Sequence, residues 1–362
     1  SLYEDLNEID KAQKLYDQVA SGSDVPADLK DQSLDRRLQL AINRGAAGRD
    51  ELMAFLSGSP DPKRGAIVAE KLVSDATAEK RSRDVVRIVE LAGTKLPKIP
   101  PSMRYRAALA KIDLADTDGA LAEFKVLANP KSADTFYATW SALKLAEQSY
   151  AGGSRKTADG YLKQAWSGQA NLTDEGRLAA YKMLADIYLG ADDAAGMAFL
   201  ASQPQPAGAE EEAHLIKGLA AFQAKDYPAA VEHLKSVASK EARAKRAFGE
   251  SLAGSGDTPA ALKEFDDLAS TRGPAAAAAQ LRVAQIHFAA GNIKEALIHF
   301  YNVIDQYEPD ENTAVAPEAL LGVVQVQIRN GEKDKAKKTS ADLLKKYPKS
   351  KEAAAAQKLV KN

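Results

Sequence analysis

The chain has 362 residues, 45% of them hydrophobic, with 49 Lys and Arg against 50 Asp and Glu and no cysteine. The hydrophobic share excludes a disordered chain, and the balanced charge leaves no electrostatic footprint for a dedicated nucleic-acid binder. The lack of cysteine excludes disulfides, thiolate catalysis and cysteine-ligated zinc. There is no apolar run of about 18 residues to span a membrane. The chain opens at Ser1 without Met or a signal-type apolar core, which reads as a mature or trimmed chain.

In chain order, Asp10 to Val19 reads as the second helix of a pair whose first helix is missing. Leu34 to Leu56 and Gly65 to Ala92 read as helical pairs, with Arg36-Arg37 and Arg81 to Arg83 adding charge. Beyond them a repeat takes over. In AQIHFAAGNIKEAL, Ala284 to Leu297, an apolar helix ends at Gly291-Asn292 and a second begins. Glycine suits that stop because it can enter the left-handed conformation. Ala296 sits one turn into the second helix, with Phe300 and Val303 on the same face.

The same arrangement recurs at Ala120, Ala158, Ala195, Ala230, Ala261 and Ala336. The mean spacing is roughly 36 residues, near the period of a helix-turn-helix repeat. Four residues on stand Phe124, Leu162, Phe199, Leu234, Phe265 and, breaking the pattern, Ser340. Twelve residues before stand Ala108, Ala146, Met183, Gly218, Gly249, Ala284 and Val324. The chemistry fits close helix crossings. Small residues let two antiparallel helices approach, and a bulky residue one turn on fills the gap to the next pair. No pair buries its apolar face alone, so pairs stack.

From about Ala209 to Pro348 the chain resembles the tetratricopeptide repeat family, best in AAFQAKDYPAAVEHL (Ala220 to Leu234) and in Ala284 to Phe300. The endings Tyr307-Glu308-Pro309 and Tyr347-Pro348 are similar to repeats of bacterial envelope proteins, such as the Tol–Pal-associated periplasmic coordinator and the outer-membrane-assembly lipoproteins. The resemblance implies an all-α, right-handed superhelical solenoid of about nine or ten antiparallel helix pairs. Residues 1–202 are expected to hold divergent repeats and 210–362 clearer ones with a basic C-terminal capping helix. Between them, 203–209 contains Pro204 and Pro206, which bar a helix, and serves either as a linker or as a longer loop inside one solenoid.

Chemistry has little local support. The four histidines, His214, His233, His287 and His299, form no HExxH pair, and there is no phosphate loop and no G-x-S-x-G elbow. Glu295 and His299 stand four apart on a helix and could reach one metal, but read first as a surface pair. The expectation is a non-enzyme without cofactor or metal. Asn171-Leu172-Thr173 reads as a helix boundary with Thr173 as the N-cap. Lysines crowd the stretch from Arg329 to Lys361, which reads as a solubilising cap or as a peripheral contact with an anionic membrane surface or a polyanion. No aromatics interleave with them as nucleic-acid stacking would need.

First helices of such repeats line a concave face. The register places Leu215, Leu219 and Phe222 there in one repeat and Arg243, Arg246 and Glu250 in the next. Leu281, Gln285 and Phe288 follow, then Leu321, Gln325 and Ile328. A register one residue off would make the leucines and phenylalanines core. Apolar positions mixed with Arg and Gln suit a partner peptide or protein. The Lys and Asn set of chaperone-tail binders is missing. The function expected is a protein-binding scaffold, in the periplasm or cell envelope or, alternatively, in the cytoplasm. The other reading is a self-assembling homo-oligomer: Leu2 to Val19 is apolar enough to dimerise, whereas the charged Lys351 to Lys361 opposes end-to-end stacking.

Overall fold

A computed structural model of the chain describes residues 2–6, 8–58, 60–129, 131, 134–271, 273–307 and 315–361. Among them the regular structure is helical, without a strand. The chain divides into two compact units, Ser1–Ala180 and Tyr181–Asn362. The first holds α1 (Leu2–Asp5), α2 (Ile9–Ser21), α3 (Ala27–Asn43), α4 (Arg49–Ser57), α5 (Pro62–Ala78) and α6 (Ser82–Lys95). It continues through α7 (Pro101–Asp113), α8 (Thr117–Leu127), α9 (Thr135–Ala151) and α10 (Arg155–Ser167). The division falls within α11 (Asp174–Ala191).

The second unit contains α12 (Ala194–Ala201), α13 (Glu210–Gln223), α14 (Tyr227–Leu234), α15 (Ala242–Gly254) and α16 (Thr258–Ala269). It ends with α17 (Pro274–Ala289), α18 (Ile293–Tyr307), α19 (Ala316–Arg329), α20 (Lys333–Lys346) and α21 (Lys351–Lys361). Residues 203–209 connect α12 to α13 inside this unit, with Ala209 fully buried. Glu308 and Pro309, part of the first Tyr-x-Pro ending, lie outside the described residues.

One turn builds the pairs from α5/α6 to α19/α20. In each, the residue just before the second helix's N-cap has positive φ: Lys80, Ala115, Gly153, Asp192, Lys225, Gly256, Gly291 and Gly331. The N–H of the N-cap then donates to the carbonyl five residues back, as Asp226 does to Ala221 at 2.9 Å and Glu332 to Gln327 at 2.8 Å. This closure satisfies a carbonyl that the helix end would otherwise orphan. An N-cap aspartate starts the next helix in four of them: Asp116, Asp193, Asp226 and Asp257 each accept from an N–H three residues on. Thr173 caps α11 in the same way, accepting from the Gly176 N–H at 3.2 Å.

The stripe of small residues is the core. Ala120, Ala158, Ala230, Ala261, Ala296 and Ala336 are wholly buried, as are Phe124, Leu162 and Leu234 one turn on. Ser340 is buried too, so the helix keeps its register where the apolar pattern fails. The α11/α12 repeat corrects the sequence reading by one residue. Ala195 is exposed, Phe199 only half-buried, and the buried set is Leu184, Gly196 and Leu200. The cause is steric: the Tyr188 ring lies where a Cβ on Gly196 would stand, 2.3 Å from it, so only glycine fits the crossing. The same stripe extends into the divergent repeats through Ala12, Leu52 and Val85, each the fourth residue of its helix.

Within each unit the first helices also touch one another in succession, α5 with α7 and α7 with α9, then α13 with α15, α15 with α17 and α17 with α19. They therefore form a continuous wall on one side of the pairs.

Candidate partner-binding groove

In the second unit this wall carries a pocket of about 560 Å³. Its lining comes from four consecutive first helices and the turn after α11: Leu189 and Asp192, then Leu219 and Phe222, then Arg243 and Arg246, then Pro274, Ala275 and Ala278. The polyalanine start of α17 creates the space, because alanine side chains end at Cβ. Leu219, Phe222, Arg243 and Arg246 are four of the twelve residues that the sequence register placed in the groove.

The charges within the pocket are unequal. The Arg243 guanidinium donates to the Leu189 carbonyl at 2.7 Å and pairs with the Asp192 carboxylate. Gln223 donates to the same carboxylate at 3.3 Å. Arg243 is thus a fastener, closing the C-terminal end of α11 where carbonyls lack partners. Arg246, one turn on, is exposed and lines the pocket. With Arg243 and Asp192 cancelling, Arg246 sets the sign of the pocket as positive.

The other positions are divided between packing and cross-links. Leu219 and Leu281 are 2% and 5% exposed, so little of either is open to a partner. Leu321, Phe288 and Ile328 are half-buried and pack against the core of the last repeats, while Leu215 and Gln325 are half-buried on the wall. Glu250 and Gln285 belong to a polar ladder across the first helices. Arg282 pairs with Glu250 at 3.0 Å and donates to Gln285 at 3.4 Å, and Gln285 donates to Glu318 at 3.0 Å. Arg329 lies over the Phe288 ring, 5.4 Å from its centroid, and donates to the Phe288 carbonyl at 3.0 Å. Sequence reasoning missed Asp192 and the Pro274–Ala278 segment. The clue for the second was the run of small residues at a helix start, which leaves room for a ligand.

The histidines come together as two pairs. His287 and His299 stack at 5.4 Å with ring planes 12° apart, and His214 and His233 lie 5.7 Å apart. His299 Nδ1 is 2.8 Å from the Gln280 amide. Burial, then the neighbouring His287, lowers its pKa from the usual 6.5. Burial pushes the phenols of Tyr105 and Tyr181 up to about 12, further from the range useful for proton exchange at neutral pH. Among the described residues, no helix is long and apolar enough to cross a membrane.

Comparison with known proteins bears on the C-terminal repeats. Tetratricopeptide repeat family models match residues 246–311 and 318–350. No curated protein matches the chain. Among solved structures it is similar to the tetratricopeptide domain of P58(IPK), at 15% identity and a TM-score of 0.28 over 81% of this chain and 76% of that one. It is also similar to PilW, a type IV pilus biogenesis factor, at 18% identity and a TM-score of 0.23 over 71% of this chain and 98% of that one. A third is the human IFIT1 dimer with PPP-AAAA, at 13% identity and a TM-score of 0.36 over 97% and 94%. Superpositions this loose say nothing of function. The matched ranges contain the repeated helix pairs around Ala261, Ala296 and Ala336, so these segments match the tetratricopeptide repeat family in both sequence and helical pairing.

Proposed function

We propose that this protein is an interaction scaffold whose α11–α17 groove holds a segment of a partner protein, seating an apolar side chain on Phe222 and Ala278 and a polar group against Arg246. One observation carries this reading: four consecutive first helices converge on a pocket with an apolar floor and an exposed guanidinium. Such a mixture suits a peptide, with apolar anchors for affinity and a charge for orientation.

The test is peptide-display selection on the whole protein, followed by affinity measurement with Ala278→Trp and Arg246→Glu variants. Ala278→Trp fills the pocket and is expected to abolish binding of the selected peptides. Arg246→Glu is expected to weaken those with a carboxylate and spare neutral ones. Unchanged affinities in both variants reject the groove.

A bacterial envelope complex is the setting we favour, supported by the Tyr347-Pro348 ending and its resemblance to envelope repeats. Fractionation of the native cells tests it, and recovery in the cytosol alone rejects it. A second reading, self-association, rests on exposed Leu6 just after α1, Leu15 on α2 and Leu29 on α3. Sedimentation as a monomer at high concentration rejects that reading.

A further inference from the structure

The last two helices carry a charge unlike that of the rest of the chain. From Arg329 to Lys361 there are eleven cationic residues against four acidic ones, in a protein whose net charge is −1. All ten lysines of this stretch are exposed. Two of them pair with a carboxylate close by in the chain, Lys335 with Glu332 at 2.9 Å and Lys351 with Glu352 at 3.7 Å. On α21, Ala353 and Ala356 are buried against the body. Lys351, Lys358 and Lys361, spaced seven and then three apart, share a line on the outer side. On α20, the buried stripe is Ala336, Ser340 and Leu343, and Lys337, Lys338 and Lys345 project from the exposed arc.

Large apolar side chains are also exposed on helices of these last repeats. On α18, Ile298 is 57% and Tyr301 44% exposed, and on α21 Leu359 is 39% exposed. A solubilising cap needs the lysines but gains nothing from exposed Ile, Tyr and Leu. An interfacial surface needs both, cations for the lipid phosphates and apolar groups for the boundary beneath them.

We propose that the basic α20–α21 end, together with the exposed Ile298 and Tyr301 of α18, binds an anionic phospholipid membrane peripherally, against the opposing charges of Glu295 and Asp305 on α18. Ten of the eleven cations are lysine, a hydrated point charge suited to a diffuse field, rather than the arginine fork that reads phosphates singly. One exposed tyrosine offers no series of stacking platforms for bases. A membrane therefore fits better than a nucleic acid. Such a contact leaves the groove free, since its lining residues lie on α11 to α17.

Vesicle co-sedimentation of the full chain tests the proposal, with phosphatidylcholine alone or with added phosphatidylglycerol. Binding is expected only to the anionic vesicles and is lost as salt rises. Two triple variants, K337Q/K338Q/K345Q and K351Q/K358Q/K361Q, each remove three cations. At roughly fivefold per lysine, each is expected to lower partitioning about a hundredfold, with circular dichroism unchanged. An Ile298→Ser, Tyr301→Ser variant is expected to weaken binding while leaving its salt dependence intact. Equal binding to both vesicle types, no binding, or undiminished binding by both triple variants overturns the proposal. So does a DNA duplex that binds as tightly as the anionic vesicles at the same salt.

Discussion

Gly322→Ala is expected to destabilise the last repeats although it places a better helix former in α19. A Cβ at Gly322 would stand 2.3 Å from Cζ and 2.4 Å from Cε1 of Phe300. That ring is 1% exposed and packed within the core of α17 to α21, so it has nowhere to turn. Overpacking of this kind costs about 1–3 kcal/mol, here toward the upper end because the contact is with a fixed ring. Alanine returns about 1 kcal/mol of helix propensity. The net loss is about 1–2 kcal/mol. Gly160→Ala in α10 is the matched control, since its added Cβ meets nothing within 4 Å. It is expected to stabilise by up to about 1 kcal/mol. Urea unfolding followed by circular dichroism compares the two. Because repeat arrays lose stability interface by interface, amide exchange in α18 and α19 supplies a local readout. Phe300→Leu in the Gly322→Ala background should recover part of the loss through a coupling term. If Gly322→Ala is neutral or stabilising, or if Gly160→Ala costs as much, the packing argument fails.

Other consequences follow from the turns and the histidines. Asp226→Ala removes the cap on the Ala229 N–H and should cost about 1 kcal/mol in chemical denaturation. Lys225 sits at φ 61°, where a side chain costs about 1–2 kcal/mol. Lys225→Gly relieves this but gains freedom when unfolded, leaving a rise of about 0.5–1 kcal/mol by the same assay. Arg243→Ala should loosen the end of α11, read as faster amide exchange around residues 189–193, at a cost of about 1–2 kcal/mol. His299, lowered from 6.5 by burial and by His287, opposed by Asp266 and Glu295, takes up its proton later in the folded than in the unfolded state. Its contribution is therefore complete above pH 6.5, falls as the pH drops below that value, and levels off beneath the folded pKa. His299→Gln should flatten the melting temperature across this interval, and an unchanged slope would show that His299 does not govern it.

The clearer repeats were legible because one turn there uses glycine and aspartate where the geometry asks for them. Gly256-Asp257 and Gly291-Asn292 announce a left-handed residue followed by a cap. The α5/α6 and α7/α8 turns adopt the same shape with Lys80 and Ala115. The same left-handed turn is reached there without glycine, so no residue type marks it in the sequence. Val85 and Leu52 likewise stand where alanine serves elsewhere, and a pattern keyed to alanine passes over them. In α11/α12 the alanines misled, since Ala194, Ala195 and Ala198 offer the period several origins.

Helix content, the paired organisation and, in the clearer repeats, the position of the packing stripe were therefore set by the sequence alone, through periodicity and local turn chemistry that act within some forty residues. Tertiary structure decided which polar side chains on the wall were already spent. Glu250 and Gln285 looked as open to a partner as Arg246, yet they bond across neighbouring helices some thirty residues away, whereas Arg246 faces a space left by the small residues of α17. Helical period fixes the side of a helix on which a residue lies, but whether its charge is already neutralised depends on a neighbour brought near only when the pairs stack.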